Sequence, residues 1–303
     1  MNRAQACWST GFFAAALLGV GMAQWDGPVQ AQLVGMVLLV AGAAAILPAG
    51  FRPARQRPDS LAGETPHWAR PHPSTAMLVA ATLGAMLLEG TGAEWSAIYM
   101  RDVFAAMPFT AGAAMATCAG AQALARWHAD GFVQRLGPVR VARTLHLLLG
   151  SGAALVLLAP HPALALLGFA QVGVGSSAIL PPAMSAAAPI TDRPAAVSVA
   201  ALAQTSFLAL FLGSPLLGWV ATRFGIRWSF GVALPLVLLG WWAAKSLPPR
   251  IKATASLAAR RQPWPSRWCR SRSVDQNGTP STVPSSLAHD HCCPGIDQRS
   301  RPA

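Results

Sequence analysis

Glu89 and Glu94 are the residues whose surroundings point most directly to chemistry, because both sit inside an apolar stretch. They lie in the second half of residues 76–106, a run long enough to cross a bilayer. An acidic side chain at such depth is costly, about +2.5 to +3.5 kcal/mol for Asp at a helix centre on insertion scales. Chains keep such groups mainly where they face a cavity, a partner or a pathway. Gly90 and Gly92 stand between the two glutamates, so the helix is weakest where the charge sits. Helices interrupted at polar positions are how membrane carriers build sites near the bilayer midplane. Glu89 is therefore the first candidate for a proton-coupling or substrate-binding carboxylate. Glu94 is the second, although its neighbours Trp95 and Tyr99 have the composition of an interfacial aromatic belt.

The elements that must position these acids are long and apolar. Of the 303 residues, 53% are hydrophobic and only 11% are charged, with a mean hydropathy of +0.41. A soluble protein would carry about 25% charged residues. The expected fold class is all-α: a polytopic bundle of about eight membrane-spanning helices, at residues 8–24, 31–50, 76–106, 109–125, 141–159, 163–188, 196–221 and 228–247. The net charge of +12 does not indicate nucleic-acid binding, because the basic residues fall between apolar runs and in the C-terminal tail. Their distribution writes a topology. One face holds Arg3, the arginines of residues 51–75, Arg126, Arg135, Arg140, Arg143, Arg193, Lys245, Arg250 and Lys252, while the other holds Arg101, Arg223 and Arg227. The positive-inside rule then places both termini in the cytoplasm.

Four segments follow from this pattern. Residues 1–50 carry two spans, residues 51–75 form a cytoplasmic Pro/Arg-rich linker, residues 76–247 form a six-helix block, and residues 248–303 read as a disordered basic tail. The tail's odd composition also suits translation from a shifted reading frame. His67 and His72 in the linker, and His289, His291, Cys292 and Cys293 in the tail, lack the spacing of a structural metal site, so no metal is expected. No Ser/His/Asp set, HExxH or phosphate-binding Gly-rich loop occurs, and neither an enzyme nor a cofactor is expected.

Further polar positions fall within the spans. Gln171 and Gln204 are candidate hydrogen-bonding partners of a polar solute, although glutamines also join helices to each other. Gly173, Gly175, Ser176 and Ser177 before Pro181-Pro182 mark a span that packs closely and bends. His146 lies near a span end and reads as structural.

The run Glu89-Gly90-Thr91-Gly92-Ala93-Glu94-Trp95-Ser96-Ala97-Ile98-Tyr99, followed by Arg101-Asp102, resembles the seventh helix of a bacterial branch of the major facilitator superfamily. That branch is similar to fucose-permease-like carriers and uncharacterised inner-membrane permeases. Residues 130–140, DGFVQRLGPVR, resemble the family's cytoplasmic loop between the second and third helices of a half, with Gln134 and Pro138 departing from the usual acid and base. Asp130, Arg135, Gly137 and Arg140 are the candidate gating residues there, acid and guanidinium pairing across helix ends. Arg223-Phe224-Gly225 echoes Arg135-Leu136-Gly137 three spans later, the placement a three-plus-three inverted repeat requires.

The resemblance implies the last eight of twelve helices, with Met1 as an internal, truncated or misread start. It implies a secondary transporter in a bacterial inner membrane. The partners would be the lipid bilayer, a small polar solute (sugar-like or another small metabolite) and protons as the candidate coupling ion. The alternative is a non-transporting membrane remnant or interaction subunit.

Overall fold

Prolines and glycines punctuate the chain. The computed structural model, which describes residues 2–24, 28–46, 72–189 and 195–247, starts or breaks its helices near them. The linker up to residue 71 and the tail from residue 248 lie outside the described residues. Among the described residues there are eleven α-helices and no strand. They are α1 (Asn2–Ala23), α2 (Val29–Ile46), α3 (Ala76–Glu94), α4 (Ser96–Phe104), α5 (Pro108–Leu136) and α6 (Pro138–Leu158). After these come α7 (Pro162–Ser176), α8 (Leu180–Ala187), α9 (Ala195–Phe224), α10 (Ile226–Gly231) and α11 (Leu234–Ala243).

Helices α5, α6 and α7 each open on a proline, whose fixed φ suits the first turn and whose missing N–H is not needed there. Three expected spans are not single helices. Residues 76–106 break at Trp95, residues 163–188 break at Ser177–Ile179, and residues 228–247 break at Val232–Ala233. Among the described residues, seven stretches are long and apolar enough to cross a membrane. The eighth expected span, residues 109–125, lies on α5, which is not among them. Residues 109–125 are mostly Ala, Gly and Thr with Gln122 among them, so the segment is less apolar than the others.

The core is built by close approach of small residues and one aromatic cluster. A methyl group at Gly173 would overlap the carbonyl oxygen of Cys118, so only glycine lets α7 touch the α5 backbone. Tyr99, Phe169 and Phe230 meet edge to face at centroid distances of 5.5–5.6 Å. Tyr99 is fully buried in this cluster, which corrects its reading as part of an interfacial belt. Its hydroxyl donates to the carbonyl of Val156. That carbonyl lacks a helical donor because the residue four positions on is Pro160. His146 is buried with Nδ1 2.7 Å from the Ala142 carbonyl and Nε2 3.1 Å from the Ala81 carbonyl, a tie between α6 and α3 that fits its structural reading. By contrast α2 buries none of its residues.

The two echoed tripeptides share one backbone geometry. Gly137 has φ 85° and ψ 153°, and Gly225 has φ 91° and ψ 152°. That region is essentially closed to residues with a Cβ. Each glycine N–H closes the preceding helix, to Val133 O and Ala221 O respectively, both at 3.0 Å. The expected loop is thus a one-residue hinge: Asp130 and Arg135 remain within α5, and Arg140 is the third residue of α6.

Candidate functional site

The site begins with a backbone vacancy. Pro181 has no N–H, so the carbonyl of Ser177, four residues earlier, loses its helical partner and the chain breaks between α7 and α8. An orphaned buried carbonyl needs another donor. Arg126 of α5 supplies it, with Nε 2.8 Å from Ser177 O. The same guanidinium reaches two more elements. One terminal nitrogen donates to Ser9 Oγ of α1, and the other lies 3.0 Å from Glu89 Oε1 of α3. The ring of Trp8 completes the enclosure, with its centroid 5.8 Å from the guanidinium carbon.

Arg126 is only 7% exposed and the Glu89 side chain 16%. This is a buried ion pair, whose two charges lose water and recover part of that cost from each other. Glu89 Oε2, by contrast, is buried without a hydrogen-bond partner in the described structure. The carboxylate is therefore half satisfied.

Glu89, Arg126 and Gln122 line a cavity of about 430 Å³ that is otherwise mainly apolar, with Trp8 and Phe12 from α1 and Phe207 from α9 among its walls. Gln122 donates from Nε2 to Ser176 Oγ at 3.2 Å, fixing its amide against α7. Glu94 also lines the cavity, but it is exposed and accepts a hydrogen bond from Ser214 Oγ of α9.

Of the expected site residues, the fold gathers Glu89 and Glu94 and does not bring Gln171 and Gln204 to this cavity. Gln171 accepts from Ser151 Oγ at 3.1 Å on an exposed face between α6 and α7, the helix-joining role open to a glutamine. Gln204 is a half-buried residue of α9 that does not line the cavity. Asp130, Arg135 and Arg140 are exposed, on the helix ends that Gly137 joins.

Arg126 is the main correction. Its charge reads in the sequence as the end of a span and a topology anchor, whereas it lies mid-helix and forms the hub of the site. The missed signal is a spacing: Cys118, Gln122 and Arg126 recur every four residues, one face of a helix. Pro181, four residues after Ser177, is the complementary mark.

Comparison with known proteins bears on what such a cavity serves. No family profile matches the chain, and no solved structure matches it. An uncharacterized transporter of Sinorhizobium fredii, y4wD, is 33% identical over 148 residues, 49% of this chain and 39% of that protein. An uncharacterized MFS-type transporter of Yersinia pestis is 28% identical over 152 residues, 50% of this chain and 40% of that protein. The matched stretch thus spans about two fifths of each relative. Both are named as transporters, in line with the expectation that the chain is not an enzyme. Over about half its length the chain is similar to two transporters, one of them named as MFS-type, and its described residues, all-helical with seven apolar spans, are consistent with such a protein.

Proposed function

We propose that this chain serves in secondary active transport of a small polar solute by alternating access, with protons coupled through Glu89. The observation that carries the reading is the Glu89–Arg126 pair at the wall of the cavity. One guanidinium ties α1, α3, α5 and the α7–α8 break together, and one carboxylate holds one of its three arms. A proton on Glu89 removes the charge that holds that arm, so protonation changes the strength of a tie between helices. That is the link a coupled carrier needs between an ion and a conformation. Gly137 and Gly225, as one-residue hinges at equivalent places, supply pivots on opposite ends of the bundle.

In this reading residues 1–50 end a first half-bundle, residues 51–75 link the halves, residues 76–247 form the second half, and residues 248–303 are a basic tail. The location is the bacterial inner membrane, with both termini in the cytoplasm, as the excess of arginine on one face supports.

The test is proton flux into proteoliposomes holding the full chain, read with an entrapped pH-sensitive dye across a panel of neutral, cationic and anionic solutes. Solute-dependent flux that Glu89→Gln abolishes is the expected result. Absence of flux with every solute overturns transport and leaves a non-transporting membrane protein. Flux that Glu89→Gln leaves intact overturns the coupling role.

A further inference from the structure

Charge, unsatisfied hydrogen-bonding capacity and wall chemistry define what the cavity can hold, and this inference rests on its being the solute site. The charged residues of its wall are Glu89, Glu94 and Arg126, one negative charge in excess. The positive member is largely engaged: three of its five N–H groups are held, by Ser177, Ser9 and Glu89. An anionic solute would approach a guanidinium already neutralised by Glu89 while facing two carboxylates. The negative member is not committed. Glu89 keeps one oxygen without a donor, and a carboxylate accepts hydrogen bonds but offers none.

The rest of the wall argues against a sugar. A polyol needs donors and acceptors on many sides, whereas beyond the charged residues this wall offers only Gln5 and Gln122, the latter already tied to Ser176, against Trp8, Phe12, Phe207, Met86, Met115 and Leu210. Trp8 and Phe12 stack at 5.7 Å with planes 2° apart, forming a continuous aromatic face on α1 beside the acid. Aromatic faces attract cations, and methionines shape themselves to irregular apolar bodies.

We infer that the cavity binds a monocationic amine with an aromatic or aliphatic body, its N–H group donating to Glu89 and its body lying against Trp8, Phe12 and Phe207. Glu94, at the exposed side of the cavity, adds attraction on entry without making the buried bond. The cavity volume of about 430 Å³ suits a small single-ring solute.

The test is equilibrium dialysis of the full chain in detergent micelles against radiolabelled 2-phenylethylamine. Unlabelled 2-phenylethanol, 3-phenylpropanoate and galactose serve as neutral, anionic and sugar competitors. The expected result is saturable binding of the amine at least about tenfold tighter than the alcohol, with no competition by the acid or the sugar. Glu89→Gln should abolish the preference for the amine. Should that variant not fold, Glu94→Gln leaves the Arg126 pair intact, and it should weaken amine binding by up to roughly fivefold while leaving the alcohol unchanged. Equal affinity for amine and alcohol, preferred binding of galactose or the acid, or no saturable amine binding overturns the inference. These outcomes are separate from the flux assay. Sugar-driven flux without amine binding retains the transporter and removes this solute class, whereas amine binding without any flux does the reverse.

Discussion

Replacing Arg126 with methionine tests the hub directly, because one substitution removes a buried charge and a proline-compensating donor together. Breaking a buried ion pair from one side costs about 3–5 kcal/mol, since the remaining charge stays buried without compensation. Leaving Ser177 O without a donor adds about 1–3 kcal/mol. Both groups relax around one lost side chain, so the expected loss is about 4–6 kcal/mol. The double variant Glu89→Gln/Arg126→Met removes the stranded carboxylate and should be more stable than Arg126→Met alone, with a coupling of about 2–3 kcal/mol. Arg126→Lys keeps the charge but not the planar fork that reaches Ser177, Ser9 and Glu89 at once, so it should fall between the two. The assay is a reversible denaturant titration in mixed micelles, followed by helical circular dichroism. A loss below about 1 kcal/mol for Arg126→Met, or a double variant no better than the sum of the singles, would refute the reasoning.

Two more predictions follow from backbone chemistry. Pro181→Ala restores an N–H able to reach Ser177 O, so it should reduce the cost of Arg126→Met by about 1–3 kcal/mol, the share of the orphaned carbonyl, while Pro182 keeps the break between α7 and α8. An unchanged cost in that background would separate the proline from the arginine. Gly137→Ala and Gly225→Ala each force a Cβ into backbone space that suits glycine, and each should cost about 1–3 kcal/mol by the same titration. An Ala variant at either site as stable as the parent chain would contradict the hinge geometry.

Residue type and spacing alone already specified much of the molecule. The apolar runs dictate helices because a bilayer offers no partner for backbone polar groups, so each segment must satisfy its own. The Arg-Leu-Gly and Arg-Phe-Gly echoes specify matching turns, and the two glycines adopt the same φ and ψ to within a few degrees. Glu89 was marked by its cost in an apolar run, and it does line the cavity. Ser177 was also legible as part of a bend, since Pro181 must free a carbonyl four residues back whatever surrounds it.

What answers that carbonyl was not legible. Arg126 lies 51 residues from Ser177, 37 from Glu89 and 117 from Ser9. A charge at the end of an apolar run reads as a membrane boundary when only its neighbours in sequence are known. Only tertiary packing brings four elements around it and turns the boundary into a buried centre. The same holds for Tyr99, whose hydroxyl serves the carbonyl that Pro160 leaves open, and for Gln171, whose partner Ser151 lies on a different helix. Local chemistry determines which groups lack a partner; long-range packing decides which side chain supplies it, because the pairing depends on distances the chain order does not contain.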